Sequence, residues 1–142
     1  MKPSSYFAHA RIRYNPLFDA LFLEYTHRVT SHDQFVEINT AASVEFSKLN
    51  TAKFVADIRK MGAVEPASEQ WFFDYHLERL QKHLGGKTLI YIQLDNPSDI
   101  LPAHPGKRVR DKPIEISGVL MLRFVKKSEM SDYLRHLMLF SL

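Results

Sequence analysis

The 142-residue chain contains no cysteine. That excludes a disulfide framework, a thiolate nucleophile and any cysteine-based zinc site. No apolar run approaches the ~20 residues that a membrane-spanning helix needs. Met1–Ala10 carries one lysine but no apolar stretch, so no secretory leader is expected and a cytoplasmic protein is. Glycine is scarce, at five residues. None stands in the spacing of a phosphate-binding loop, a dinucleotide turn or a nucleophile elbow. Charge of one sign is also in short supply: 19 Lys and Arg against 16 Asp and Glu leave a net +3. A dedicated nucleic-acid binder carries a larger and more clustered excess, so no nucleic-acid partner is expected. The seven histidines add positive charge only at low pH.

What is present is an ordinary globular composition, 45% hydrophobic and 25% charged, and a length that suits one domain over residues 1–142. Phe7–Tyr14 alternates, with Phe7, His9, Arg11 and Arg13 on one face and Ala8, Ala10, Ile12 and Tyr14 on the other. That is the period of a half-buried strand. Asn15-Pro16 marks a turn closed by Asp19, and Ala20–Tyr25 is a second strand, so the chain opens on an antiparallel hairpin. Ser31, with Gln34 three residues on, is a capping-box pattern that starts a helix running to about Leu49. Phe35, Ile38, Ala42, Phe46 and Leu49 form its apolar stripe, with Asn39 and Ser43 off it.

Phe54–Asp57 then reads as a central buried strand with a charged carboxyl end at Asp57, Arg59 and Lys60. Strand, helix and strand with short connections form a crossover unit, so this strand is expected to run parallel to Ala20–Tyr25. Pro66 suits the first turn of a second helix, whose stripe is Phe73, Leu77, Leu80 and Leu84, with Trp71 at its mouth. Gly85-Gly86 ends it. Thr88–Leu94 is another buried parallel strand. Asp95–Pro113, with four prolines and a basic run at 107–112, is expected to be a flexible loop. Ile114–Val125 reads as one long strand bent at Gly118. Ser128 caps a last helix, Glu129–Phe140, with Met130, Tyr133, Leu134, Leu137 and Met138 as its apolar positions.

Several of these segments carry a family resemblance. Tyr14-Asn15-Pro16 leads into the second strand. Val55–Met61 is followed by Pro66 and Glu69-Gln70-Trp71, and Glu129–Leu134 opens the last helix. In that order and spacing they resemble the SpoIIAA-like (STAS/SEC14-like) bacterial proteins over most of the chain. Met130 and Tyr133 stand where the family usually has Ala and Trp, and Glu65 replaces a Ser or Thr cap. The resemblance implies an α/β fold, with a mixed four- to five-stranded sheet and helices packed against it. Relatives that antagonise anti-sigma factors carry a phosphorylatable serine after the central strand. Asp57–Val64 has no Ser or Thr, so that switch does not carry over.

Candidate sites follow from position. Asp57, Arg59 and Lys60 lie at a strand's carboxyl end, where α/β sheets tend to bind ligands, with the Pro66 helix start nearby. With Trp71 they form the expected ligand site, for an apolar or anionic small molecule. The plainer reading is that Asp57 pairs locally and organises its turn. Trp71, Phe72 and Tyr75 form the expected interface, since aromatic residues are enriched there, and a homodimer is the expected partner. Core packing is the plainer reading of these three. His76 and His83 lie two helical turns apart and match no metal motif, and His9, His27 and His104 read as solvated. No metal, cofactor or catalytic residue is expected. Two functions remain open: a non-enzymatic SpoIIAA-like interaction or regulatory module, and a small-molecule binding protein. An enzyme would need an acid–base pair that the linear sequence does not present.

Overall fold

The computed structural model of the chain describes residues 5–6, 8–96 and 114–140. A mixed seven-stranded sheet runs in the order β1-β2-β3-β4-β5-β7-β6. The strands are β1 (Ser5–Tyr6), β2 (Ala10–Asn15), β3 (Ala20–Tyr25), β4 (Lys53–Asp57), β5 (Leu89–Leu94), β6 (Ile114–Ile116) and β7 (Val119–Phe124). Helix α1 is His32–Ser47 and α4 is Lys127–Phe140. Between β4 and β5 one continuous helical segment divides into α2 (Pro66–Trp71), a π-helical turn (Phe72–His76), α3 (Leu77–Gln81) and a 3-10 turn (Lys82–Leu84).

The α/β class, the mixed sheet and the opening hairpin agree with the sequence. β2 and β3 pair antiparallel, and β3, β4, β5 and β7 run parallel. Phe54–Asp57 threads the middle of the sheet, between β3 and β5. The five longer strands match the expected four to five, and β1 and β6 extend the edges. The basic run at 107–112 and His104 lie outside the described residues.

Local chemistry sets these boundaries. The Asn15 carboxamide oxygen accepts from the backbone N–H of Leu17 and Phe18 at 2.9 and 3.3 Å, a side-chain turn that reverses the chain into β3. Ser31 Oγ accepts from Gln34 N at 3.1 Å and caps α1. Gln34 Oε1 reaches back to Thr30 N at 2.8 Å, one residue before the cap. Gly85, at φ 62°, takes the left-handed conformation that ends the second helical segment.

The long bent strand expected over Ile114–Val125 is instead a hairpin. Ser117 and Gly118 have φ of 49° and 80°. Two successive left-handed residues make a two-residue turn whose twist matches antiparallel strands. They fold β6 back on β7.

Two apolar layers flank the sheet. On one face, α1 and the 66–84 segment cover Ile12, Leu21, Leu23, Phe54, Ala56, Leu89 and Tyr91 with Phe35, Ile38, Phe46, Phe72, Leu77 and Leu80. Phe54 stacks on Tyr91 at 5.3 Å and meets Phe46 edge-on at 5.5 Å, favoured aromatic geometries. On the other face α4 packs, the one helix there among the described residues, burying Met130 and Leu134 against Val55, Ile92, Leu94 and Leu122. Leu137 is half-buried and Met138 exposed, so the buried stripe of α4 is shorter than its apolar pattern. Asn39, off the apolar stripe, is nonetheless buried. Its Nδ2 donates to Tyr25 Oη at 2.8 Å and to the Phe35 carbonyl at 2.9 Å, which satisfies both donors.

The second helix departs from its expected register. Leu77 N–H bonds to the Phe72 carbonyl, five residues back rather than four. The extra residue rotates the preceding turn. Phe72, not Phe73, therefore sits over Leu77 in the core, at 8% exposure, and Phe73 turns outward at 53%.

Candidate functional site

Strand register places the charged residues. On the face covered by α4, one row across the sheet reads Arg11, Glu24, Asp57, Leu94, Phe124. The next row reads Arg13, Phe22, Val55, Ile92, Leu122. Both rows turn from polar or half-buried to apolar where α4 begins to cover them. The uncovered side forms a groove of about 530 Å³ between the β2–β3 hairpin and the start of α4. Its apolar lining is Phe18, Phe22, Leu94 and Met130, and its polar rim includes Arg11, Arg13, Glu24, Asp57 and Lys127. The groove opens at the carboxyl ends of β3 and β4, the edge of an α/β sheet where ligands tend to bind.

The anions of this rim are already matched. Arg59 clamps Asp57 with both arms of its guanidinium, Nε to Oδ1 at 2.9 Å and a terminal nitrogen to Oδ2 at 2.8 Å. The Arg59 backbone N–H also donates to Oδ1 at 3.2 Å. Arg11 pairs with Glu24 at 3.3 Å. Arg13 and Lys127 make no side-chain hydrogen bond or ion pair among the described residues. The groove therefore offers two unpaired cations above an aromatic and aliphatic floor.

The expected ligand set divides. Asp57 lines the groove on the α4 face. Trp71 packs against the core cluster of the opposite face. Alternation along β4 is the cause, since Ala56 and Asp57 must point to opposite sides. Arg59 is committed to Asp57, and Lys60 is exposed without a partner among the described residues. These four residues do not converge on one site. Arg11, Arg13, Phe22 and Lys127 were not singled out by the sequence. The alternation that puts Arg11 and Arg13 on one face was visible, but not their pairing with Glu24 and Phe22, nor that α4 leaves that half of the face uncovered.

The expected interface set divides as well. Phe72 is buried against Phe35, His76 and Tyr91, so it forms no surface. Tyr75 is 54% exposed and shares the outer side with Phe73. Trp71 is half-buried between them and the core, its ring 5.0 Å from His76 and 6.0 Å from Phe35. Arg79 lies over both the Trp71 and Tyr75 rings, at 5.5 and 5.1 Å, a cation–π arrangement.

Behind them, His76 is fully buried. Arg79 donates to His76 Nδ1 at 3.1 Å and to Thr40 Oγ1 at 3.0 Å. A guanidinium can only donate, so Nδ1 accepts and the imidazole proton sits on Nε2. Burial, and then the Arg79 charge, push the His76 pKa down to about 3. No group of His, Asp and Glu able to hold a metal occurs among the described residues. No described helix is long and apolar enough to cross a membrane.

Family models, curated proteins and solved structures all return no match to this chain. The likeness to SpoIIAA-like proteins therefore rests on its own motifs alone.

Proposed function

We propose that the chain is a non-enzymatic, SpoIIAA-like binding module whose groove takes a small amphipathic anion. One observation carries this reading. Arg13 lines an apolar groove that reaches the carboxyl edge of the sheet, and no carboxylate among the described residues answers it. The groove volume falls within the few hundred to ~1,000 Å³ typical of small-ligand sites. A carboxylate or sulfonate head would pair with Arg13 and Lys127, and an aliphatic tail would lie along Phe18, Phe22, Leu94 and Met130. The Arg59 clamp uses both oxygens of Asp57, which suits a carboxylate that shapes the rim rather than one that moves protons. Calorimetric titration with decanoate below its micelle concentration tests the proposal. The chain should bind one equivalent saturably, and Arg13→Gln should bind about tenfold more weakly, the loss of one charge-assisted hydrogen bond. Absence of saturable binding, or equal affinity in Arg13→Gln, contradicts the reading.

A second reading is favoured by a different observation. The π-helical turn presents Phe73 and Tyr75 outward beside Arg79, and Tyr and Arg are over-represented among residues that anchor interfaces. This face suits protein–protein contact, with a second copy of the chain as the partner, in a cytoplasmic regulatory role of the kind the SpoIIAA-like motifs imply. Light scattering coupled to size exclusion at micromolar concentration should give the mass of a dimer. Phe73→Glu should shift it toward the monomer. A monomer in the unaltered chain removes this reading and leaves the groove untouched.

A further inference from the structure

A second cavity, of about 420 Å³, lies at the other end of the strands. It is lined by Asp19, Asn50, Thr51, Lys53, His83 and Lys87, with apolar walls that include Leu137 and Met138 of α4. Lys53 is the unusual member. It opens the central strand β4 and is 8% exposed, yet the acceptor within hydrogen-bond reach of its ammonium is Met138 Sδ at 3.0 Å. A thioether is a weak acceptor, and an ammonium carries three donors. The Asp19 charge acts on this ammonium without a hydrogen bond between the two side chains. Asp19 Oδ1 accepts the Tyr14 hydroxyl at 2.6 Å, and the Thr51 hydroxyl donates to the Asp19 carbonyl while accepting from Lys53 N. His83 Nε2 is enclosed and has no hydrogen-bond partner among the described residues. Lys87 stands exposed at the cavity's edge.

Among the described residues no oxygen lies within hydrogen-bond reach of this ammonium, and burying a charge without one is unfavourable. Burial accordingly lowers the Lys53 pKa, with Asp19 opposing the shift.

We propose that this cavity binds a phosphoryl oxyanion, anchored by Lys53 and completed by Lys87 and His83. Three oxygens of one tetrahedral anion can answer three separate donors, which a single carboxylate does less well. The site is separate from the groove: the two share no lining residue, although both reach the turn between β2 and β3, at Phe18 and Asp19. The phosphoryl group belongs either to free phosphate or to a phosphomonoester.

The test is a thermal-shift titration of the full chain with sodium phosphate, sodium chloride being adjusted to hold ionic strength constant. The melting temperature should rise saturably. Lys53→Met should keep or raise the melting temperature without phosphate and should need about tenfold more phosphate for the same response. Lys87→Gln, at an exposed position, provides the same readout should the Lys53 variant not fold. Lys53→Met and Lys87→Gln should bind decanoate like the unaltered chain, which separates this site from the groove. A repeat with glycerol phosphate distinguishes the sources: half-saturation at lower concentration assigns an ester, and equal half-saturation assigns the free ion. No phosphate response at constant ionic strength, or an undiminished one in Lys53→Met and Lys87→Gln, overturns the proposal.

Discussion

Acidification should destabilise this protein through His76, and the size of the effect follows from its surroundings. The ring is fully buried, and its Nδ1 accepts from Arg79 at 3.1 Å. Protonation would place a second N–H against that donor and a second positive charge beside the guanidinium. The folded-state pKa is about 3 against an ordinary 6.5. Because the folded value lies below the unfolded one, the neutral ring stabilises the fold above pH 6.5, and that stabilisation is lost as pH falls toward 3.

At pH 4 the loss is about 3 kcal/mol, from the roughly 2.5 units between the unfolded value of 6.5 and pH 4 at ~1.4 kcal/mol per unit. Against a typical total of roughly 5–15 kcal/mol this is a large fraction. The assay is urea unfolding at pH 7 and pH 4, followed by the fluorescence of Trp71, the one tryptophan, whose ring stacks on His76. Carboxylates also titrate over this range, so the comparison is with His76→Gln, which keeps an acceptor for Arg79 but does not titrate. The unaltered chain should lose about 3 kcal/mol more than the variant between the two pH values. Equal losses would refute the reasoning, because they would mean that the ring is solvated or its charge compensated.

Further consequences concern the π-helical turn and the groove. Phe72→Ala removes a buried ring and should cost about 3–5 kcal/mol in chemical unfolding, whereas Phe73→Ala should stay within about 0.5 kcal/mol. A regular α-helical register would reverse that order. Arg13→Gln should leave the urea midpoint unchanged while weakening decanoate binding, since Arg13 is exposed and makes no pair among the described residues. Phe73→Glu should likewise preserve the urea midpoint and lower the mass seen by light scattering, if the aromatic face is a dimer surface.

The strands and most helix ends were legible in the sequence because each rests on a local signal. Two-residue alternation marked β2, the Ser31 cap marked α1, Pro66 opened the second helical segment and Gly85 closed it. What was not legible depends on relations between distant segments. A π-turn leaves no spacing signal of its own, so Phe73 was taken as core and Phe72 as surface. Ser117 in a left-handed conformation is uncommon for a residue with a side chain, and Gly118 alone suggested a bend rather than a hairpin. Asp57 was recognised as a strand-end carboxylate. Its separation from Trp71 followed from the alternation of β4, together with knowing which face each helix covers. Lys53 falls just outside the expected strand Phe54–Asp57, and nothing local announces that α4 would close over it.

The groove is the centre of the functional account, and amide chemical-shift mapping with decanoate tests it most directly. Saturable shifts should concentrate at Arg11–Phe18, Phe22–Glu24, Asp57, Leu94 and Lys127–Ser131, and Arg13→Gln should weaken them together. Shifts that gather instead around Trp71–Arg79, or that fail to saturate anywhere, would contradict it.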